Sequence, residues 1–159
     1  MGFFEQILKP LMEQTFIMVK PEGVKRRLVG EIISRFERTG LYLVDLKITK
    51  ANISILEKHY AHLVEKPFFK SIVSAMTSGC VVPMIFEGEN AVKIGRKLLG
   101  DTNPVSAAMG TIRGDLAINV GKNLVHGSDS VENAKKEIAL WFEESNKNAD
   151  VFDKDLFYE

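Results

Sequence analysis

The spacing of apolar residues changes in a fixed order along the chain, and this order limits the possible folds more than any other feature of the sequence. TFIMVK at 15–20 is a compact apolar run that predicts a buried strand ending before Pro21. In Leu28–Phe36 the apolar residues recur at helical spacing, which predicts an amphipathic helix closed by Gly40. From Leu41 to Lys50 they alternate with polar residues, which predicts a second strand.

Two predicted helices interrupt this pattern before it resumes. Ser54 and Glu57 have the spacing of a capping box, and Pro67 suits the first turn of a second helix. The predicted elements are then helices at 54–63 and 67–79, a strand at 80–86, a helix at 90–99, a strand at 115–120 and a helix at 131–142. With the helix pair as an insert, the order predicts an α+β fold (an α/β sandwich). It is a ferredoxin-like βαββαβ domain whose antiparallel four-stranded sheet carries helices on one face.

Length and composition indicate one domain. The chain has 159 residues, 45% of them hydrophobic, and shows no internal repeat, low-complexity tract or linker. We therefore predict a single domain over 1–159, with 1–14 as an N-terminal extension and 143–159 as a C-terminal tail. The 21 basic and 21 acidic side chains cancel, so no bulk charge draws the chain to nucleic acid or to a membrane.

Several sequence signals bear on the cellular compartment. The first fourteen residues lack both a basic start and an uninterrupted apolar stretch, so they do not resemble a signal peptide. No apolar run approaches the roughly 18 residues of a membrane-spanning helix. The single cysteine, Cys80, excludes an internal disulfide and fits a reducing compartment. These signals predict a soluble cytoplasmic protein without a membrane partner.

The segment Asp101–Gly114 is long for a connection in so small a domain, and such loops are usually functional or disordered. Arg96, Thr102 and Arg113 bracket it, and they are residue types that hold phosphate through a forked guanidinium or a hydroxyl. Lys20 ends the first strand before a tight turn, where its charge would point into the edge of a cleft. Each arginine and the threonine, taken alone, is also compatible with an ordinary surface position.

The segment NLVHGSDS at 123–130 carries the strongest local signal, a histidine after a strand and small polar residues at the mouth of a helix. One interpretation makes the residues at 128–130 helix N-caps and His126 a buried histidine. The other makes the helix start an anion site, because its amide groups and dipole favour phosphate. His126 would then be a neutral nucleophile, and Glu137 on the final helix could accept a hydrogen bond from its second ring nitrogen.

Two well-known routes to phosphate binding are missing, because the sequence contains neither a Walker A motif nor G-x-G-x-x-G. Any nucleotide site is therefore built in another way. Phe68 and Phe69, which follow Pro67, offer a ring on which a base could stack, although an aromatic pair at a helix start is also compatible with a core position.

A set of motifs joins these segments into one pattern between Thr15 and Trp141. In order they are TFIMVKPEGV, RLVGEIISRFERTG, HY, PFF, SG, GRKLLGDTNP, GTIRGD, NVGKN, HGSDS and EIALWF. In content and spacing they closely resemble the nucleoside diphosphate kinase family, and this resemblance favours the catalytic interpretation of His126. It implies that family's fold and the reversible transfer of a terminal phosphoryl group from a nucleoside triphosphate, such as ATP, to a nucleoside diphosphate.

The same resemblance implies a role for each candidate residue. His126 becomes the catalytic nucleophile, phosphorylated on the ring nitrogen nearer the backbone (the pros position), with Glu137 and Ser128 orienting it. The residues implied to bind phosphates, the sugar hydroxyl or the surroundings of the histidine are Lys20, Tyr60, Arg96, Thr102, Arg113 and Asn123, of which Lys20 and Tyr60 also count as catalytic. The implied base-binding residues are Phe68, Ile72 and Val120, and base stacking fits a broad choice of base.

The implied mechanism is ping-pong covalent catalysis in two half-reactions. A triphosphate phosphorylates His126 and leaves as a diphosphate, and a second diphosphate then takes the group. ATP, GTP, GDP and deoxynucleotides are all implied substrates. Mg2+ is the implied cofactor, and we expect it to arrive with the nucleotide because the sequence shows no carboxylate cage for it.

The resemblance also implies a homo-oligomer, with a hexamer as first choice and a tetramer as second. Tyr158 and Glu159 resemble the tail of hexamer-forming members. Two positions depart from the family pattern. Ala107–Met109 replaces a more polar, often proline-containing stretch that members use for subunit contacts, so this departure concerns assembly. Glu22 stands where most members have Asp, at a turn where we expect little effect on catalysis.

Two other classes of function are compatible with a ferredoxin-like sheet. An RNA-recognition module would carry an aromatic RNP signature and usually a basic surface, and the sequence has neither, so no nucleic acid partner is predicted. A catalytically inactive relative kept as a scaffold would be expected to lose His126 or the phosphate-binding arginines, and all of these are present. The sequence therefore predicts an enzyme.

Overall fold

The computed structural model describes residues 12–143, in which four strands and seven α-helices form. In chain order they are β1 (Met12–Val19), α1 (Pro21–Lys25), α2 (Val29–Glu37), β2 (Tyr42–Leu46), α3 (Ile53–His59), α4 (Phe69–Met76), β3 (Val82–Glu89), α5 (Ala91–Leu99), α6 (Ile112–Leu116), β4 (Val125–Gly127) and α7 (Val131–Trp141). Single turns of 3-10 helix lie at Ala61–Leu63 and Val120–Lys122.

The four strands form one antiparallel sheet in the order β2-β3-β1-β4. β1 pairs with β3 from Met12 opposite Glu89 to Val19 opposite Val82. β4 pairs with the end of β1, and α3 and α4 lie between β2 and β3 in sequence. The predicted ferredoxin-like βαββαβ fold, with its helical insert and its long loop before the last strand, is confirmed.

Helices cover both faces of this sheet, so the expectation of helices on one face is wrong. Successive side chains of β1 are buried, and in a strand they point alternately to the two faces. Ile17 packs in a core cluster with Phe36 of α2 and Leu99 of α5. Its neighbour Phe16 packs in a second cluster with Trp141 of α7 and residues of α3 and α4. The continuous apolar run of β1 corresponds to burial on both faces.

The last strand lies later in the chain than predicted, and the expected strand at 115–120 is wrong. Thr111 caps α6 by accepting a hydrogen bond from the amide of Gly114 at 3.0 Å, so the chain enters this segment as a helix. Ile118 and Val120, whose alternation suggested a strand, are 86% and 56% exposed. The observed β4 has only three residues, which is too short to give a recognisable period.

β2 is shorter and less regular than the strand predicted at 41–50. Its register against β3 shifts between Leu43 and Asp45. An irregularity of this kind moves the following side chains to the other face of the sheet. The predicted apolar face at 44, 46 and 48 is therefore not buried as a unit, and Leu46 and Ile48 are 44% and 66% exposed.

Element boundaries differ from the prediction at two further places. β1 begins at Met12, so residues 12–14 of the predicted extension belong to the sheet. Asn52 caps α3 by accepting a hydrogen bond from the amide of Ile55 at 2.9 Å, so the predicted cap at Ser54 is wrong. The helix then ends at His59, earlier than predicted.

The predicted extension and tail fall mostly outside the described residues, as does the Tyr158–Glu159 ending. Within 12–143, none of the helices has the length and apolar character needed to cross a lipid bilayer.

Candidate active site

His126 lies on β4, at the edge of the sheet opposite Met18 of β1. Its neighbour Val125 packs into the cluster under α2 and α5, so His126 points to the opposite face, where α7 lies. Gly127 lets α5 approach β4, because a Cβ at this position would lie 2.5 Å from Cδ1 of Leu99. The short strand thus places the imidazole between the sheet and the last helix.

Glu137 holds the His126 ring from α7. One carboxylate oxygen, Oε2, forms a short hydrogen bond with Nε2 of His126, and the other accepts from the hydroxyl of Ser128 at 2.8 Å. Ser128 is 1% exposed, and its Oγ also accepts from the amide of Phe16 at 3.3 Å. Since hydrogen bonds to an ionised acceptor are stronger than neutral ones, this network fixes the ring of His126 relative to the sheet.

The contact with Glu137 determines which nitrogen of His126 carries the proton. An ionised carboxylate can only accept, so Nε2 donates and the neutral ring keeps its lone pair on Nδ1. Nδ1 forms no hydrogen bond with any residue of 12–143. The side chain is 26% exposed and borders the cavity described below. Nδ1 is therefore the nitrogen available to a ligand.

A chain of hydrogen bonds ties Lys20 to the start of the long loop. Nζ of Lys20 donates to Oδ1 of Asn123 at 2.8 Å, and Nδ2 of Asn123 donates to the carbonyl of Thr102 at 3.0 Å. Burial lowers the pKa of Lys20 to about 8, with Glu22 raising it and Arg113 lowering it further. At neutral pH this amine is charged but poorly solvated, which favours an anionic neighbour.

Arg113 is a buried cation held by carbonyl groups. It is 3% exposed, and its two terminal nitrogens donate to the carbonyls of Gly100 at 2.9 Å and Val125 at 2.8 Å. Its Nε has no hydrogen-bond partner among residues 12–143. Burial, followed by repulsion from Arg96, lowers the pKa of Arg113 to about 10, so it remains charged at neutral pH. A buried charge is costly unless an opposite charge compensates it, and Arg113 therefore favours an anionic ligand.

These side chains surround a cavity of about 670 Å³, a size typical of small-molecule sites. The predicted site residues that line it are Lys20, Tyr60, Arg96, Thr102, Arg113, Asn123, His126 and Glu137. Five lysines and arginines and two carboxylates border the cavity, which gives it a positive balance. Ser128 is not among the lining residues and reaches the site through Glu137.

The predicted base-binding residues lie outside this cavity. Phe68 and Val120 are 49% and 56% exposed, and Ile72 packs against the second core cluster. A second cavity of about 640 Å³ is lined by residues of α1 and α4 and by Gly121 and Lys122, and by none of the three predicted base-binding residues. Phe68 directly precedes α4 and Val120 begins the turn at 120–122, so both adjoin segments that line this cavity. We call the surface formed by Phe68, Ile72 and Val120 the base groove.

The start of α7 separates the roles of the three residues at 128–130. Ser130 is the N-cap, because its side chain accepts from the amide of Asn133 at 3.0 Å. Asp129 accepts from the side-chain amide of Asn133 at 2.6 Å, and this bond, ahead of other effects, lowers the pKa of its carboxyl. Capping by all three residues is therefore wrong, and Ser128 bonds to Glu137 instead.

His59, to which the sequence interpretation gave no role, lies beside His126. Its side chain is fully buried, and the two ring centroids are 4.5 Å apart at an interplanar angle of 69°. The indole of Trp141 donates to Nδ1 of His59 at 3.0 Å. Burial, followed by the charge of His126, lowers the pKa of His59 to about 2, so the ring is neutral. The one signal for it in the sequence was its place in the HY motif beside Tyr60.

One group of three potential metal ligands occurs within 12–143, formed by His59, His126 and Glu137. Two imidazoles and one carboxylate suit a transition metal better than Mg2+, which prefers oxygen ligands. Nε2 of His126, Oε2 of Glu137 and Nδ1 of His59 are also engaged in hydrogen bonds. This donor set does not fit a resident magnesium ion.

Comparisons with known proteins agree in both sequence and fold. A family model described as nucleoside diphosphate kinase matches residues 13–147. Nucleoside diphosphate kinase 1 of Glycine max is 55% identical over 147 residues, covering 92% of this chain and 99% of that protein. The apo crystal structure of nucleoside diphosphate kinase from Encephalitozoon cuniculi is 51% identical, covers 92% of this chain and 99% of its own, and superimposes with a TM-score of 0.88.

A halophilic nucleoside diphosphate kinase from Halobacterium salinarum, solved in complex with CDP, is 45% identical with a TM-score of 0.80. The match covers 83% of this chain and 88% of that one. Because the family model spans nearly all of the described residues and the relatives match over most of their own length, the chain belongs to the nucleoside diphosphate kinase family.

Proposed function

We propose that this chain transfers phosphoryl groups between nucleotides through a phosphohistidine formed on Nδ1 of His126. The overall reaction, from a nucleoside triphosphate to a nucleoside diphosphate, follows from the family. The observation that carries the proposed route is the bond between Glu137 and Nε2 of His126, because it leaves the lone pair on Nδ1. A neutral imidazole nitrogen is a competent nucleophile for phosphorus.

The first half-reaction forms one bond and breaks one. The lone pair of Nδ1 attacks the terminal phosphorus, and the bond from this phosphorus to the bridging oxygen breaks, so that the diphosphate leaves with the electron pair. His126 then carries the phosphoryl group on Nδ1 and the proton on Nε2. The positive charge that develops on the ring is stabilised by the carboxylate of Glu137, which is already in contact with Nε2.

The second half-reaction reverses these steps with another nucleotide. A terminal oxygen of the incoming diphosphate attacks the phosphorus, and the electron pair of the P–N bond returns to Nδ1. Bonds of the same kind are broken and formed overall, so the equilibrium lies near unity and nucleotide concentrations set the direction. Ser128 assists both steps by holding the second oxygen of Glu137.

The cations around the cavity stabilise charge on the transferred group. Burial leaves Arg113 and Lys20 poorly solvated before substrate binds. Contact with phosphate oxygens would therefore stabilise both charges without the cost of removing a full hydration shell. Arg96 adds a second guanidinium for phosphate. Mg2+ would arrive with the nucleotide as part of the proposed substrate and would supply further positive charge to its phosphates.

Three neutral groups complete the proposed phosphate and sugar contacts. Thr102 and Asn123 border the cavity, and hydrogen bonds join them to each other and to Lys20. Burial, followed by the charge of Glu137, raises the pKa of Tyr60, so its hydroxyl stays protonated and can donate. We assign these donors to the phosphates and to the sugar hydroxyl.

The base is proposed to bind in the base groove, against Phe68 and Val120, with Ile72 as a third apolar contact. The side chains of Phe68 and Val120 are about half exposed, so a nucleotide base can reach them and pack against them. Stacking uses the π face that all bases share, so we expect ATP, GTP, GDP and deoxynucleotides to serve as substrates.

We also propose a homohexamer, with a tetramer as the alternative, in the cytoplasm. Three large apolar side chains after α5, those of Val105, Met109 and Ile118, are 81%, 81% and 86% exposed. Apolar side chains of this size on one segment favour contact with another chain. The single Cys80 fits a reducing compartment. Sedimentation velocity distinguishes six from four subunits, and a monomer at all concentrations would contradict the assembly.

The proposed route is tested by incubating the full chain with Mg2+ and γ-labelled ATP without an acceptor. We expect an acid-labile, base-stable label that GDP discharges as GTP. His126→Ala should take up no label, whereas His62→Ala, which removes an exposed histidine bordering the same cavity, should still take up label because His62 is not the proposed nucleophile. A folded parent without label, or equal label on His126→Ala, would sink the phosphohistidine route.

A further inference from the structure

Two imidazoles lie near one oxygen of Glu137. Oε2 is in contact with Nε2 of His126, and the same oxygen lies 3.7 Å from Nδ1 of His59. The His59 side chain is fully buried and that of Glu137 is 12% exposed, so bulk water screens interactions between these groups poorly. If Nδ1 of His59 carried a proton, Glu137 would have two donors to choose from.

The indole of Trp141 settles the protonation of His59. An indole N–H can only donate, and it donates to Nδ1 of His59 at 3.0 Å. Nδ1 is therefore unprotonated, and the neutral ring carries its proton on Nε2. On the side nearest to Glu137, His59 thus presents a lone pair instead of a donor.

This tautomer of His59 leaves a buried N–H without a partner within residues 12–143, so another interaction must stabilise it. Nε2 of His59 is buried and has no hydrogen-bond partner among the described residues. A buried N–H without an acceptor is unfavourable, so without the indole the proton would move to Nδ1, where Glu137 is within reach. The bond from Trp141 holds His59 in the tautomer that it would otherwise leave.

We propose that Trp141 is a positioning residue that locks the tautomer of His59 and thereby reserves Glu137 for His126. The inference rests on the proposed function, because it concerns the orientation of the nucleophile. Trp141 acts only through His59 and is not among the residues that line the cavity. Loss of the lock weakens the bond that keeps the lone pair of His126 on Nδ1, so phosphorylation slows while nucleotide affinity is unchanged.

Trp141→Phe tests the lock, because it removes the donor and keeps an aromatic ring. With 15N-labelled histidine in the full chain, NMR reports the tautomer of His59, and rapid quench with γ-labelled ATP reports the rate of His126 labelling. We expect the parent to show the Nε2–H form. The variant should gain Nδ1–H signal and label about three- to tenfold more slowly, at unchanged apparent affinity for ATP.

Two further variants separate the lock from packing. Phe142→Leu truncates another buried aromatic residue of the same core cluster, and it should leave the tautomer of His59 unchanged and the rate within about twofold. Trp141→Phe combined with His59→Phe removes the competing imidazole as well, and it should regain most of the lost rate. This recovery would not follow from a packing defect.

Any of three results would overturn the inference. They are an Nδ1–H form of His59 in the parent, an unchanged labelling rate in Trp141→Phe, and a slower rate with the tautomer of His59 unchanged. Failure of the phosphohistidine route itself is distinct, because the parent would then take no label.

Discussion

The two sides of the proposed nucleotide site are built differently. One side, which we call the catalytic wall, is formed by His126, Glu137, Ser128 and Arg113. These residues lie on β4, on the turn that follows it, on α7 and on α6, and each side chain is fixed by at least one hydrogen bond. The base groove is bordered by Phe68 and other exposed side chains. If the proposed assignment holds, the difference teaches that buried polar contacts serve the phosphoryl group, which all nucleotide substrates share, whereas the variable base meets an open surface.

After the loss of His126, which should abolish labelling, the largest effect expected from the catalytic wall is that of Arg113. Arg113→Ala removes a buried cation that we assign to the transferred phosphoryl group, and kcat/KM for ATP should fall by about 10²- to 10³-fold. Arg113→Lys keeps the charge but cannot donate to both Gly100 and Val125 from a planar fork, so it should remain well below the parent. Wild-type kcat/KM in folded Arg113→Ala would remove this residue from the site.

Glu137→Gln should have the next largest effect, because it keeps the shape and removes the negative charge that stabilises the His126 ring. Hydrogen bonds to charged groups are stronger than those to neutral groups. From this difference we expect His126 to be labelled roughly 10- to 100-fold more slowly in the variant. Glu132→Gln on the same helix is the matched control, since the side chain of Glu132 is 80% exposed and pairs with Lys136. Equal rates in the two variants would contradict the account.

Lys20 adds a pH dependence to the wall. Because burial lowers its pKa to about 8, from 10.5, the ammonium is present below that pH and is lost as the pH rises through it. We expect kcat/KM to fall about tenfold per pH unit above pH 8, while kcat is less sensitive because bound phosphate restores the charge. Lys20→Arg should move this alkaline limb to higher pH. A limb that stays at the same pH in the variant would assign the titration to another group.

The base groove should give the smallest and most uniform effect. Phe68→Ala removes the proposed stacking ring, so KM should rise about tenfold for ATP, GTP and CTP alike, with little change in kcat. Phe68→Tyr retains a ring and should behave like the parent. A loss confined to one base would show that the groove reads base edges, and the contrast between the two sides would then be weaker than described.

The sequence predicted the parts of the fold that have long, regular periods. The apolar run of β1 and the amphipathic α2 and α5 are present, and so is the order of strands and helices along the chain. It misplaced the last strand because Ile118 and Val120 alternate with polar residues without being buried, whereas three-residue β4 has no period to detect. Pairing with β1, which depends on the tertiary fold, decides where that strand lies.

Prediction of the site had a similar limit. The motifs gave His126, Glu137 and the cations, and these do meet around one cavity. His59 was missed because a buried histidine on a helix looks like any core position until its ring is seen beside His126 and Trp141. Distances between side chains on different elements are set by the packing of α3 and α7 on the sheet, and no local pattern encodes them.

The most direct test of the central claim is the site of the phosphorus on His126. The full chain, labelled with 15N-histidine and phosphorylated by ATP without acceptor, can be examined for 31P–15N coupling by NMR. The account predicts coupling to Nδ1 of His126, with the proton retained on Nε2 beside Glu137. Phosphorus on Nε2, or on any residue other than His126, would contradict it.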